Sequence, residues 1–290
     1  MSGADLASRP GVDVAARVGP FPMDLHADLV RRFAGATVDP DPDVRSGTVV
    51  PPVLAVTKIW DAQEAGRAAA FDRQVFAAAR GGVHGEHDLV VHRPLAPGER
   101  LQTYVSGRAA RPVGGNAVLT MRYESVDATG AVVVEQLWTT VLLGTTCAPV
   151  GDDLPDHRFA EDARSRPVAT HTITVDADMP RRYAEVSGDW SAHHFDAAAA
   201  RQSGADRPFL HGVCTLALCA RAVTAEVGGG DPRRLRRLAV RFATPVPVGE
   251  DVTVDVYDAG DGAYAFEATA AGALVITHGR AEVGDPNSAG

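Results

Sequence analysis

Tyr183-Ala184-Glu185-Val186-Ser187-Gly188-Asp189-Trp190-Ser191-Ala192-His193-His194-Phe195-Asp196 is the stretch around which this chain is organised. Asp189 and His194 stand five positions apart in a segment punctuated by Ser187-Gly188, a spacing that does not place them on one helical face. A loop that curls there brings both side chains to one point. A carboxylate and a neutral imidazole aimed at one water make a general acid/base pair. Just downstream, Asp196 can cap a short helix over residues 197–202, and Gly204 can end it. Pro208-Phe209-Leu210-His211-Gly212 then opens an apolar run from Val213 to Val223. A helix apolar nearly all round is a buried helix.

Working outward, residues on both sides alternate with period two. Ile173 and Val175 precede the stretch; Leu238, Val240 and Phe242, then Val252, Val254 and Val256, then Tyr264, Phe266, Leu274 and Ile276 follow it. A buried helix followed by antiparallel strands is an α+β unit, a sheet wrapped round one helix. The earlier chain follows the same plan. A helical pattern covers residues 24–34 and an alanine-rich helical segment covers 61–80. Strand patterns run through Leu101, Thr103 and Val105, through Leu119, Met121 and Tyr123, and over 132–143. Pro94-Leu95-Ala96-Pro97-Gly98-Glu99 echoes Pro245-Val246-Pro247-Val248-Gly249-Glu250, and His84-Gly85 is read as the echo of His211-Gly212. Two copies of one unit account for this. The expected division is an N-terminal arm over 1–20, a first unit over 21–146, a linker over 147–167, a second unit over 168–284 and a tail over 285–290. The first unit carries Asp39 and Asp41 where the acid loop should be, but no following histidine, so it is expected to be catalytically silent.

These residues carry a resemblance. Ser187, Gly188, Asp189, His194, Leu210, His211 and Gly212 match the signature of the MaoC-like hydratases, the type 2 enoyl-CoA hydratases. Ser191 stands where that family usually has Asn, and Ala192 where it has Pro. The resemblance implies a double hot-dog fold, two antiparallel sheets each wrapped round a helix. It implies hydration of a trans-2-enoyl thioester to an (R)-3-hydroxyacyl thioester, or the reverse dehydration, with Asp189 and His194 as the catalytic pair. The substrate would be an acyl-CoA or acyl-carrier-protein thioester. A hot-dog thioesterase and a non-catalytic acyl-thioester binder are the rival functions. Ser191 has a shorter reach and fewer donors than Asn, and is expected to touch substrate or water. Gly212 opens the buried helix, where a free backbone N–H could polarise the thioester carbonyl or the missing Cβ could simply permit close packing. His211 is read as structural and His193 as a bystander. The first unit is expected to house the acyl tail, with Phe71 and Phe76 as candidates for its lining.

The remaining composition narrows the class. With 290 residues, a formal charge of −9 and 45% hydrophobic content, the chain reads as a globular protein and not as a nucleic-acid binder. No run is long and apolar enough to span a bilayer, and Met1–Pro20 lacks the apolar core of an export signal, so a cytoplasmic protein is expected. The three cysteines show no metal-binding spacing, and no glycine-rich nucleotide loop follows a strand, so no metal or cofactor is expected. Arg233, Arg234, Arg236 and Arg237 form a basic cluster; Arg234 and Arg236 are read as candidates to meet the phosphates of CoA or an acidic carrier protein. A homodimer is possible.

Overall fold

The computed structural model describes residues 16–285 apart from 72, 153 and 261. The alternating stretches form strands as their period demands. The first half supplies β1 (Arg17–Leu25), β2 (Gly82–Val91), β3 (Glu99–Val113), β4 (Asn116–Val126) and β5 (Val132–Leu142). The two-residue β6 (Val150–Gly151) pairs with β3. The second half supplies β7 (Pro167–Ile173), β8 (Leu235–Phe242), β9 (Val252–Gly260), β10 (Ala263–Ala270) and β11 (Ala273–Val283). They form one sheet in the order β1-β3-β4-β5-β2-β8-β11-β10-β9-β7. Read from either edge inward, the connections are the same, so the halves are copies related about the β2–β8 pair.

The helices are α1 (Ala27–Ala36), α2 (Pro42–Ser46), α3 (Trp60–Ala70), α4 (Arg73–Ala77), α5 (Met179–Ser187), α6 (Ala197–Gln202) and α7 (Gly212–Val227). The apolar run beginning at Val213 becomes α7, with Cys214, Leu216, Leu218, Cys219, Ala222 and Val223 fully enclosed. In the first half the central position is shared by a 3-10 helix, Pro52–Lys58, and α3. Pro51 and Pro52 start that turn where missing N–H groups are harmless. The alanine-rich segment does not run unbroken: Phe71 is extended (φ −130°, ψ 141°), separating α3 from α4.

Three expectations change. Arg17–Pro20 belong to β1 rather than to an arm; the rest of the expected arm, residues 1–15, lies outside the described residues, as do 286–290 of the tail. Pro20 and Pro22 hide the strand in the sequence, but β1 is an edge strand, where proline is tolerated. His84-Gly85 is not the counterpart of His211-Gly212. It lies within β2 at a register shift between His84 and Glu86, with the His84 ring stacked on Trp138 at 3.6 Å. The counterpart of His211-Gly212 is Pro51-Pro52, so the first half has a shorter connection between acid loop and central helix than the second. Third, the stretch read as a linker carries β6 and a 3-10 helix, Glu161–Ser165.

The two halves meet along β2–β8, which pair from Glu86↔Arg241 to Val90↔Arg237. On one face Asp88 accepts from Arg237 Nε and Nη2 at 3.0 and 2.7 Å. His157 Nε2 lies 3.3 Å from the same carboxylate, and Glu86 accepts from Arg241 at 2.6 Å. Burial alone would raise Asp88, but His157 and Arg237 hold it down at about 2. A carboxyl depressed by folding contributes stability that is complete above the unfolded value of about 4 and is lost as pH falls through about 2. Asp88→Ala is therefore expected to lower unfolding free energy by about 3 kcal/mol at neutral pH, read by denaturant titration. The variant should also lack the loss of stability that the parent shows between those pH values. An unchanged acid profile would mean that the seam is held by other groups.

Candidate active site

The loop that follows α5 is built by a left-handed cap. Gly188 has φ 84° and its N–H returns to Ala184 O, which ends the helix and turns the chain. The Asp189 N–H then donates to Ser187 Oγ at 3.2 Å. The Asp189 carboxylate accepts the Ser191 N–H at 3.1 Å and the Ser191 hydroxyl at 2.5 Å. A short 3-10 turn, Ala192–His194, carries the imidazole back towards the acid. Asp196 caps α6 by accepting the Ala199 N–H at 2.8 Å, and Gly204 follows it with φ 87°.

Asp189 and His194 do converge. His194 Nε2 lies 3.7 Å from Asp189 Oδ2, and the two side chains are only 4% and 16% exposed. His194 Nδ1 is 2.8 Å from the carbonyl of Phe209. A carbonyl only accepts, so Nδ1 carries hydrogen and the neutral ring turns its Nε2 lone pair towards Asp189. Two acceptors then face each other beyond hydrogen-bond range. A water beside them, off the line that joins the two atoms, can donate one hydrogen to each. Burial works against the charged carboxylate, but the His194 ring when its Nε2 carries hydrogen, and the Ser191 hydroxyl and N–H, hold Asp189 well below the usual carboxylate range.

His211 positions this pair. Its Nε2 donates to the backbone carbonyl of Asp189 at 2.9 Å, and its ring stacks on His194 with centroids 3.6 Å apart. Burial first, then the neighbouring His194, lowers His211 to about 4, so it is neutral near pH 7. His193 stacks instead on Phe209 at 4.9 Å. Gly212 opens α7 directly after His211. A Cβ there would stand 3.4 Å from the Phe242 ring, so space alone does not demand glycine. Asp189, His194 and His211 each place one ligand atom within 4.8 Å of the others, close enough to share a cation as well as a water.

Arg234 and Arg236 are not brought to this point. Arg234 donates to the carbonyls of Gly284 and Gly228, at 3.1 and 3.5 Å. Arg236 donates to the carbonyls of Arg233 and Asp285. Arg233 pairs with Asp231, and Arg237 with Asp88. The cluster fastens its own turn and the end of β11. Phe71 and Phe76 pack on each other at 6.3 Å and line neither cavity described below nor the dyad.

Sequence reasoning missed Lys58. From the first half its Nζ donates to Val186 O at 2.5 Å, in the last turn of the helix that carries the acid loop. Cations near a helix C-terminus satisfy its free carbonyls. Burial and then the charge of Arg32 lower the Lys58 pKa. Nothing local marks this residue, since its partner is 128 positions away.

Comparison with known proteins agrees with this geometry. A family model described as "MaoC like domain" matches residues 159–277. The 3-hydroxyacyl-thioester dehydratase Y of Mycobacterium tuberculosis is 31% identical over 206 residues, covering 66% of each chain. The peroxisomal multifunctional enzyme type 2 of Drosophila melanogaster is 30% identical over 183 residues, covering 61% of this chain and 30% of that one. Thus the chain spans 66% and 30% of the length of these two curated relatives. A MaoC-like dehydratase from Phytophthora capsici has the same fold, with TM-score 0.79, 19% identity and coverage of 95% and 96%. A double hot-dog protein from Mycobacterium tuberculosis matches with TM-score 0.57 at 16% identity, covering 95% of this chain and 96% of that one. The chain belongs to the MaoC-like dehydratase family, and its fold is the double hot-dog. No helix among the described residues is long and apolar enough to cross a membrane.

The Lys58 tie makes a test that needs no substrate. Lys58→Met is expected to raise amide exchange through residues 187–194 by about tenfold, while β4 and β10 stay protected. Lys58→Arg should restore most of the protection. Equal exchange in parent and Met variant would show that the loop holds itself.

Proposed function

We propose that the protein hydrates trans-2-enoyl thioesters, or dehydrates 3-hydroxyacyl thioesters in reverse, with Asp189 and His194 acting on one water. The observation that carries this reading is the pair of facing acceptors: an anionic carboxylate and an imidazole whose tautomer is set by Phe209 O. The names of the relatives, a 3-hydroxyacyl-thioester dehydratase among them, support the same substrate class. The substrate is an acyl-CoA or acyl-carrier thioester, and the resemblance of the loop favours the (R) product.

The thioester makes C3 electrophilic by drawing electron density through the double bond. As the water oxygen bonds to C3, one water proton passes to His194 Nε2. Asp189, 3.7 Å away, stabilises the imidazolium that forms. The same proton is then delivered to C2, and the elements of water have been added without any group being consumed. While charge resides on the thioester oxygen, the free N–H groups at the start of α7, Gly212 first, are the nearest preorganised donors of this segment. Ser191 keeps the carboxylate aimed and anionic through its two donations. In this reading it orients the acid from a position where the family usually has Asn.

Loss of the enoyl chromophore with a panel of enoyl-CoAs, and chiral analysis of the product, tests the activity directly. Release of free thiol in place of a hydroxyacyl product would assign a thioesterase instead. Asp189→Asn and His194→Ala are each expected to lower turnover by about 10²-fold or more with the fold intact. Together they should cost far less than the product of the two single losses. A single variant with near-parental turnover would remove that residue from the mechanism. Exhaustive dialysis against a chelator is expected to leave turnover unchanged, because the proposed chemistry uses a water held by Asp189 and His194 and no step of it needs a cation. Loss on chelation, with recovery on adding a divalent ion, would assign those ligands to a cation.

A further inference from the structure

The first half keeps the acid loop of the second, and it has a cavity beside it. Val38 occupies the place of Gly188: both end a helix in the left-handed region, with φ 47° and 84°. Phe33 and Tyr183, each five residues earlier, meet across α1 and α5 at 6.4 Å. Asp39 follows Val38 as Asp189 follows Gly188, and Asp41 N–H donates to Asp39 Oδ1 at 3.0 Å just as Ser191 N–H donates to Asp189. Five residues after Asp39 comes Val44, fully buried, in the place of His194.

A valine with φ near 47° is strained. Its neighbourhood is held from the other half: Arg221 of α7 donates to Thr37 O at 2.9 Å and to Val38 O at 2.6 Å. Lys58 does the same for Val186 in the second half. Each half therefore still supports the acid loop of the other, although only one loop has a histidine.

Beside Asp39 lies a cavity of about 230 Å³. Its wall is mainly apolar, with Phe33, Val53, Ala217, Ala220 and Leu235 on opposite sides. Asp39 and Arg221 both line it and are not ion-paired with each other among the described residues. Arg221 Nε has no partner. Pockets for drug-sized ligands run to roughly 300–1,000 Å³, so the space suits a short chain. A mainly apolar wall that also carries Asp39, Asp41, Thr37, Thr224 and Arg221 suits a ligand that is mostly hydrocarbon and carries a hydroxyl and a carbonyl close together.

We propose that this cavity is a second, non-catalytic site for a short 3-hydroxyacyl thioester, with the hydroxyl on Asp39 and the thioester carbonyl towards Arg221. The proposal rests on the hydratase reading for the ligand's identity. The site binds without turnover because Val44 cannot take or return a proton.

Equilibrium dialysis of labelled 3-hydroxybutyryl-CoA against the Asp189→Asn chain tests it. Two equivalents per chain are expected. Adding Ala220→Leu, which fills the cavity, should leave one. Adding Asp39→Ala instead should weaken the second equivalent about tenfold or more, and this variant serves if the leucine is not accommodated. Circular dichroism and melting establish that each variant folds. One equivalent in the Asp189→Asn chain overturns the second site but leaves the dyad reading standing. No bound ligand overturns both. Two equivalents that persist unweakened in the cavity variants place the second molecule elsewhere and overturn the proposal.

Discussion

The pairing of β2 with β8 is the constraint on which the rest depends. Without it each half is a sheet with an open edge and a helix covered on one side only. With it, Asp88 and Glu86 meet Arg237 and Arg241 across the seam, and the opposite faces turn towards each other's helices. α1 then packs on α5, Lys58 reaches Val186, and Arg221 reaches Thr37 and Val38. The acid loops are thus positioned twice: by the cap of the helix before them and by a cation from the opposite copy. The more exposed pair, Glu86 with Arg241, adds only modest stability. The value of the pairs here is register, because a slip along the seam would move both cations off their carbonyls.

The loop that carries Asp189 and His194 was readable because its information is local. A glycine cap, an acid, a returning histidine and an N-capping Asp196 all act within a few residues, so Ser187–Gln202 could be placed from sequence. The buried α7 was equally plain, since a run with so few polar residues has only an interior to go to. The two-copy plan was visible in the paired Pro…Gly-Glu turns before β3 and β9. The errors came where structure depends on distant partners. His84-Gly85 looked like His211-Gly212, but dipeptides carry little information, and sheet order is set by long-range pairing. β1 was hidden by its prolines, which only an edge strand tolerates. The carbonyls that hold Arg234, those of Gly228 and Gly284, and those that hold Arg236, of Arg233 and Asp285, were not legible in the sequence either.

The two acid loops differ in few respects. The left-handed turn before the acid, the acid itself and the amide that steadies it are alike in both, although Val38 makes that turn in one loop and Gly188 in the other. They differ also at one later position, His194 against Val44, and in the fate of the next turn: a 3-10 turn and α6 in one half, the short α2 in the other. Val44 is enclosed by core while His194 is enclosed by aromatic rings and a carbonyl. A valine at such a place brings no polar atom that needs a partner, so Val44 sits in the core at little structural cost.

The Lys58–Val186 tie also bears on how the protein behaves on dilution. Copies of a hot-dog unit that associate as separate chains share their contacts only while they remain bound, so loop geometry would vary with protein concentration. Here both partners of that contact lie on one chain, and the effective concentration of one for the other is fixed by the connection between them. The acid loop therefore keeps its support however scarce the protein becomes.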